Sequence, residues 1–128
     1  MDETADPLVW AAKAEEDYLL ARSALRRRKP LIYGACFHAQ QCAEKYLKAV
    51  LVLHGRDFPW IHDLLALSDL CAQVGVIVPI DPDDLDRLSA YAVQVRYPGE
   101  EPTPEEARIA MKTAQATRRF VRRLLGLT

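Results

Sequence analysis

The sequence predicts an all-α protein, an up-and-down four-helix bundle with an additional short helix, five helices in all. Three observations carry this prediction. Apolar residues recur at spacings of three and four through most of the chain. Asp6-Pro7, Asp81-Pro82 and Thr103-Pro104 share one helix-start logic. A side-chain oxygen caps free N–H groups, and Pro suits the first helical position because its missing N–H has no intrahelical acceptor. Only 5 glycines and few β-branched clusters argue against an all-β fold.

Helix 1 is expected from about Pro7 to Arg28, with Ala11, Ala14, Tyr18, Ala21 and Leu25 on one face and Pro30 as its stop. Helix 2 should run from about Leu31 to His54, burying Cys36, Ala39, Ala43, Leu47, Val50 and His54 and ending at Gly55. Residues 56–61 read as a loop holding Pro59 and Trp60. A short helix 3, about His62 to Val74, stops near Gly75, and Val74 to Ile80 reads as a loop that packs down. Helix 4 is expected from about Pro82 to Val95, with Leu85, Leu88, Ala92 and Val95 inward. Helix 5 should span about Pro104 to Leu125, opened by Thr103 with Glu106 three residues on, a capping-box spacing. Short connections make neighbouring helices antiparallel.

The 128 residues are half hydrophobic, enough for one domain with a real core and too few for two. Seventeen Lys/Arg against 18 Asp/Glu give a net charge of −1, which removes bulk attraction to nucleic acid and leaves room for a local basic patch. The run from Ala49 to His54 is far below the roughly 18–20 apolar residues that span a bilayer. The acidic start at Met1, Asp2 and Glu3 has no hydrophobic signal core, so a cytoplasmic protein with no membrane contact is expected. Cys36, Cys42 and Cys71 are an odd number without a C-x-x-C pair, which points to reduced, mostly buried thiols.

Opposite the apolar face of helix 2 lie Gly34, His38, Gln41, Lys45 and Lys48. The plain reading is a solvated face; the sharper one is a functional stripe. Glu44 and Lys48 form an i,i+4 pair worth a few tenths of a kcal/mol. Arg22 and Arg118 break the apolar faces of helices 1 and 5, and a guanidinium inside such a face needs a partner. Carboxylates such as Glu44 or Glu15 would serve, as would snorkelling at the seam edge; the alternative is a phosphate-binding groove. Arg108, Lys112, Arg119, Arg122 and Arg123 stripe helix 5, and with the Arg26–Lys29 run they could form one basic patch for an RNA backbone or an acidic partner. His38 and Cys42, four apart, are a lone ligand pair without a second, so no metal is expected. Neither a G-x-S-x-G, a P-loop nor a dinucleotide fingerprint is present, and no cofactor is implied.

The segment Cys36-Phe37-His38-Ala39-Gln40-Gln41-Cys42-Ala43-Glu44-Lys45-Tyr46-Leu47-Lys48-Ala49 resembles the signature second helix of HEPN-domain proteins. His62-Asp63-Leu64 resembles that family's His-x-Leu element, and Arg96-Tyr97-Pro98 before the last helix resembles its Arg-Tyr-Pro segment. The likeness spans roughly residues 8 to 125. It implies a helical bundle that usually dimerises, similar to the helical domain of aminoglycoside nucleotidyltransferases. It also implies pairing with a small nucleotidyltransferase in a toxin–antitoxin-like arrangement. Many members are metal-independent RNases that use an Arg, four to six residues, then a His. That pattern fails at Arg96, because no His follows His62 anywhere in the chain. Arg56 and His62 match the spacing literally but stand in the helix 2–3 region.

The expectation is therefore a single domain over residues 1–128 that binds a nucleotide or RNA phosphate without cutting it. Arg96 would be the anion anchor, Tyr97 would position it or accept modification by the partner, and Lys45, Lys48 and His62 would line the pocket. The alternatives are an endoribonuclease using a divergent arginine with His62 or His38, and a purely structural interaction subunit.

Overall fold

A computed structural model of the chain describes residues 2–92 and 97–128. A 3-10 turn, Glu3–Ala5, precedes α1 (Pro7–Arg26), α2 (Ile32–Leu53), α3 (Leu64–Gln73), α4 (Pro82–Ser89) and α5 (Pro104–Leu124). No strand occurs among the described residues. The three Pro-initiated helices start as their sequences dictate. Asp6 accepts from the Leu8 N–H, Asp81 from the Asp83 N–H, and Thr103 and Glu106 form a complete capping box.

Glycine sets two of the stops. Gly55 and Gly75 have φ of +65° and +86° directly after His54 and Val74, the C-caps of α2 and α3. The Arg56 N–H reaches Leu51 O at 2.9 Å, and the Val76 N–H reaches Cys71 O at 2.9 Å. Both are the six-to-one bond of a Schellman ending, which needs a left-handed residue at this point.

Ala11, Ala14 and Ala21 of α1 meet Ala39 and Ala43 of α2 in one buried cluster, where small side chains permit close approach. Tyr46, Leu47, Leu51, Leu64, Leu67, Leu85, Leu88 and Val121 fill the rest of that core. Val76 and Val78 pack down from their loop, as expected. All three cysteines are buried thiols outside any disulfide.

Several boundaries differ from expectation. The first helix stops at Arg26 because Arg27 turns extended (φ −67°, ψ 151°), and the Leu31 N–H caps Ala24 O instead. The third begins at Leu64, since Asp63 caps the Ala66 N–H and thereby keeps His62 outside the helix. The fourth ends at Ser89, not Val95. Tyr91 and Ala92 bond three residues back, to Leu88 O and Ser89 O, tightening the last turn out of α-helical register. Ser89 Oγ meanwhile accepts the Leu64 N–H, tying this end to the start of α3. Val95 lies outside the described residues. His54 is exposed, because it caps the end of α2 instead of extending its buried face.

One larger correction concerns charge. The polar stripe of α2 is not a solvated face: Lys48 is buried, together with Gln40 and Glu44 beside it. Arg118 and Arg122, late in α5, bond Glu15 in the first half of α1.

The segment 54–63 positions the site. Instead of leading away from α2, it turns back along it. Gln40 Nε2 donates to His62 O at 3.1 Å, so α3 starts beside the middle of α2.

Candidate functional site

The floor of the site is a charged cluster on α2. Glu44 Oε2 accepts from Lys48 Nζ at 2.9 Å, with side-chain exposures of only 5% and 3%. Glu44 Oε1 takes Gln40 Nε2 at 3.1 Å and lies 2.8 Å from His62 Nδ1. Burial pushes the Glu44 carboxyl up, but the donors Lys48, Gln40 and His62 outweigh it and hold the group below its ordinary value. An ionised carboxylate only accepts, so His62 Nδ1 carries the proton and Nε2 is left uncommitted. The His62 side chain is 49% exposed.

Aromatic rings wall this floor. Lys48 Nζ lies 5.8, 5.4 and 5.5 Å from the ring centroids of Trp10, Phe58 and Trp60. Such placement offsets part of the cost of burying an ammonium. Trp10 is held from two sides: its indole N–H donates to Thr4 O at 2.9 Å, and its ring meets Phe58 edge-on. Above the floor opens a cavity of about 340 Å³, walled by Trp10, Trp60, Val9 and the Glu3–Thr4 turn, with Lys13 and Lys45 on its side.

Of the residues singled out from sequence, Lys45, Lys48 and His62 come together on this cavity. Their charges are not loose, however. Lys45 Nζ bonds Asp17 Oδ2 at 2.7 Å, and Lys48 and His62 share Glu44. Tyr97 is exposed in the α4–α5 connection, where its N–H donates to Glu100 at 3.4 Å, and it is absent from the cavity lining. Arg96 lies outside the described residues. Arg56 donates to Gln73 at 2.9 Å and does not join His62 in this lining.

Sequence reasoning missed Trp10, Trp60 and Lys13, and it undervalued Glu44 as half of a surface pair. Trp10 and Trp60 are fifty positions apart, and no local spacing links them. The available signal was composition: the chain has 2 tryptophans, and one stands in a polar loop beside Phe58 and Pro59.

A comparison with protein families now bears on this bundle. The HEPN-domain family profile matches residues 8–124. The chain belongs to the HEPN-domain family. A solved structure with the same architecture is the Thermus thermophilus protein TT1696, with a TM-score of 0.70 and 28% identity over 91% of this chain and 96% of that one. No curated protein matches the sequence.

Elsewhere in this HEPN domain, Asp17 Oδ1 lies 2.8 Å from His38 Nδ1 while its other oxygen holds Lys45, so a second imidazole is oriented by a carboxylate. Glu15 answers the need of Arg118: Nε and Nη2 meet its two oxygens at 2.6 and 2.7 Å. Tyr46 Oη also donates to Glu15, at 2.7 Å. Arg118 chiefly, against partial burial, holds the Glu15 carboxyl low. Arg22 stacks over Tyr18, 5.5 Å from its centroid. Arg108 pairs with Glu105 at the start of α5. Burial pushes the Cys71 thiol up to about 12 and Cys42 beyond it, which leaves both unreactive. Among the described residues, no group of three or more His, Cys, Asp or Glu is placed to hold a metal. No described helix is long and apolar enough to cross a membrane.

Proposed function

We propose that this HEPN protein is a single-domain binding and interaction module that takes up a nucleotide or an RNA phosphate without cutting it. In this reading it works as a cytoplasmic homodimer and pairs with a small nucleotidyltransferase in a toxin–antitoxin-like system. The observation that carries the binding part is the convergence of Lys45, Lys48 and His62 on one cavity. Each ammonium spends one hydrogen bond on its carboxylate and has three N–H groups, so donors remain for a ligand. Arg96 as an anion anchor, with Tyr97 positioning it or accepting modification by the partner, is carried by the family resemblance alone, and Tyr97 lies outside this cavity lining. Dimerisation and the protein partner rest on the family resemblance, and the cytoplasmic localisation on the cysteine usage. Calorimetric titration with ATP and with a short RNA, on wild type, Lys45→Ala and Arg96→Ala, tests the binding. Weaker binding in both variants is the expected result. Unchanged affinity in Arg96→Ala removes that residue from the site, and no binding by wild type ends the reading.

One observation favours a second reading, an endoribonuclease. His38 and His62 each have Nδ1 against a carboxylate, which leaves Nε2 for proton transfer. Incubating the protein with RNA in EDTA, beside His62→Ala and His38→Ala, separates the two. Cleavage lost on substitution establishes the enzyme; intact RNA leaves the binding module.

A further inference from the structure

We infer that the ligand's recognition element in this cavity is a nucleobase, stacked on Trp60, with the attached phosphate held by Lys13. The inference rests on the nucleotide reading above and narrows it to the base.

Charge argues first. Lys45 is matched by Asp17, and Lys48 by Glu44. Lys13, exposed on the cavity wall, has no acidic partner among the described residues. A site with one uncommitted ammonium suits a single phosphate group far better than a bare polyphosphate, whose charges would crowd against Glu3 and Glu44 in the same lining. Shape argues next. The walls are indoles, and Trp60 is 80% exposed, an unusual position for the most costly side chain to leave in water. Its loop is pinned beneath it by the Gln40 and Glu44 bonds at His62, so the ring is presented on a fastened segment. Planar heterocycles stack on such a ring whatever their sequence context, because every base has a π face.

The floor argues last. Lys48 and His62 line the same cavity, and each keeps hydrogen-bonding capacity after Glu44 is satisfied. Ring nitrogens and exocyclic carbonyls are acceptors of the kind that floor can meet. A free nucleotide and an unstacked residue of an RNA strand share this chemistry, and the length of the ligand tells them apart.

Both tryptophans of the chain line the cavity, so intrinsic fluorescence reports on this site. The experiment titrates adenosine, adenosine monophosphate, pyrophosphate and a short oligoadenylate by tryptophan quenching, with calorimetry for the variants. Adenosine and its monophosphate should quench saturably, and pyrophosphate should not. Trp60→Leu should weaken both by about tenfold. Lys13→Ala should lower affinity for the monophosphate alone, to that of adenosine. The oligoadenylate binding at least about tenfold tighter than the monophosphate supports the base of an RNA strand; equal affinity supports a free nucleotide. Pyrophosphate matching the monophosphate, or affinities untouched by Trp60→Leu, overturn the stacking proposal while the broader phosphate reading stands. Silence from all four ligands, in fluorescence and in calorimetry, overturns both.

Discussion

Glu15 and Glu44 head two charge clusters of similar make-up with different outcomes. Glu15 is enclosed by Arg118, Arg122 and the Tyr46 hydroxyl, drawn from α5 and α2, and joins three helices. Arg118 also lies over the Tyr18 ring at 4.3 Å, so its guanidinium is in use on its edge and on its face. Glu44 is the more deeply buried, yet its partners are only partly spent, and Lys48 and His62 open onto a cavity. The same ingredients make a clamp that ties three helices at Glu15 and a candidate site at Glu44, where a charged floor meets a cavity walled by indoles. Glu15 and Arg122 border a hollow too, but its other walls are chiefly aliphatic, so what sets the Glu44 cluster apart is the aromatic rings around it.

The sharpest way to break this contrast is Glu44→Ala. It strands the Lys48 ammonium in the core and releases His62, so unfolding in urea should show a loss of about 3–5 kcal/mol. Freed from its pin, the Trp60 loop should also change the tryptophan emission. A loss below about 1 kcal/mol would mean that the three rings alone support Lys48. Next in size is Glu15→Ala. Its pair is about a quarter exposed, so a cost nearer 2 kcal/mol is expected, with tryptophan emission unmoved. An emission change there would join the two clusters into one network.

Acid sharpens the comparison further. Folding lowers both carboxyls from their ordinary value of 4.5, so between that value and the lowered ones the unfolded chain binds more protons than the native one. Stability contributed by the two groups is complete above pH 4.5 and falls away as pH drops through their lowered folded values. Glu15→Gln should flatten part of this acid limb in denaturant melts taken at a series of pH values. An acid limb identical to wild type would show that Glu15 titrates alike in both states. The smallest effect belongs to Trp60→Leu. With four-fifths of the indole in water, stability should stay within about 0.5 kcal/mol by thermal melting. A larger loss would make the ring a structural lid and not a presented face.

Much of the scaffold was legible from local chemistry. Asp6, Asp81 and Thr103 cap as their side chains require, and Gly55 and Gly75 end helices where only a left-handed residue closes the turn. The demand of Arg118 for an acid was also readable, including Glu15 as a candidate, because a guanidinium cannot shed its charge. Capping, periodicity and charge pairing act over a few residues or follow from one group's chemistry, so the linear sequence states them directly.

Other features waited for the fold. Lys48 looked like the edge of a solvated face, since nothing in the order of residues says that the chain after α2 doubles back to cover it. The meeting of Trp10 with Trp60 has the same origin, as does the mutual neutralisation of Lys45 and Asp17 across two helices. Each depends on where a loop lands and how two helices are rotated against one another. Those are sums of many weak packing terms across the whole chain, and no short stretch of sequence contains them.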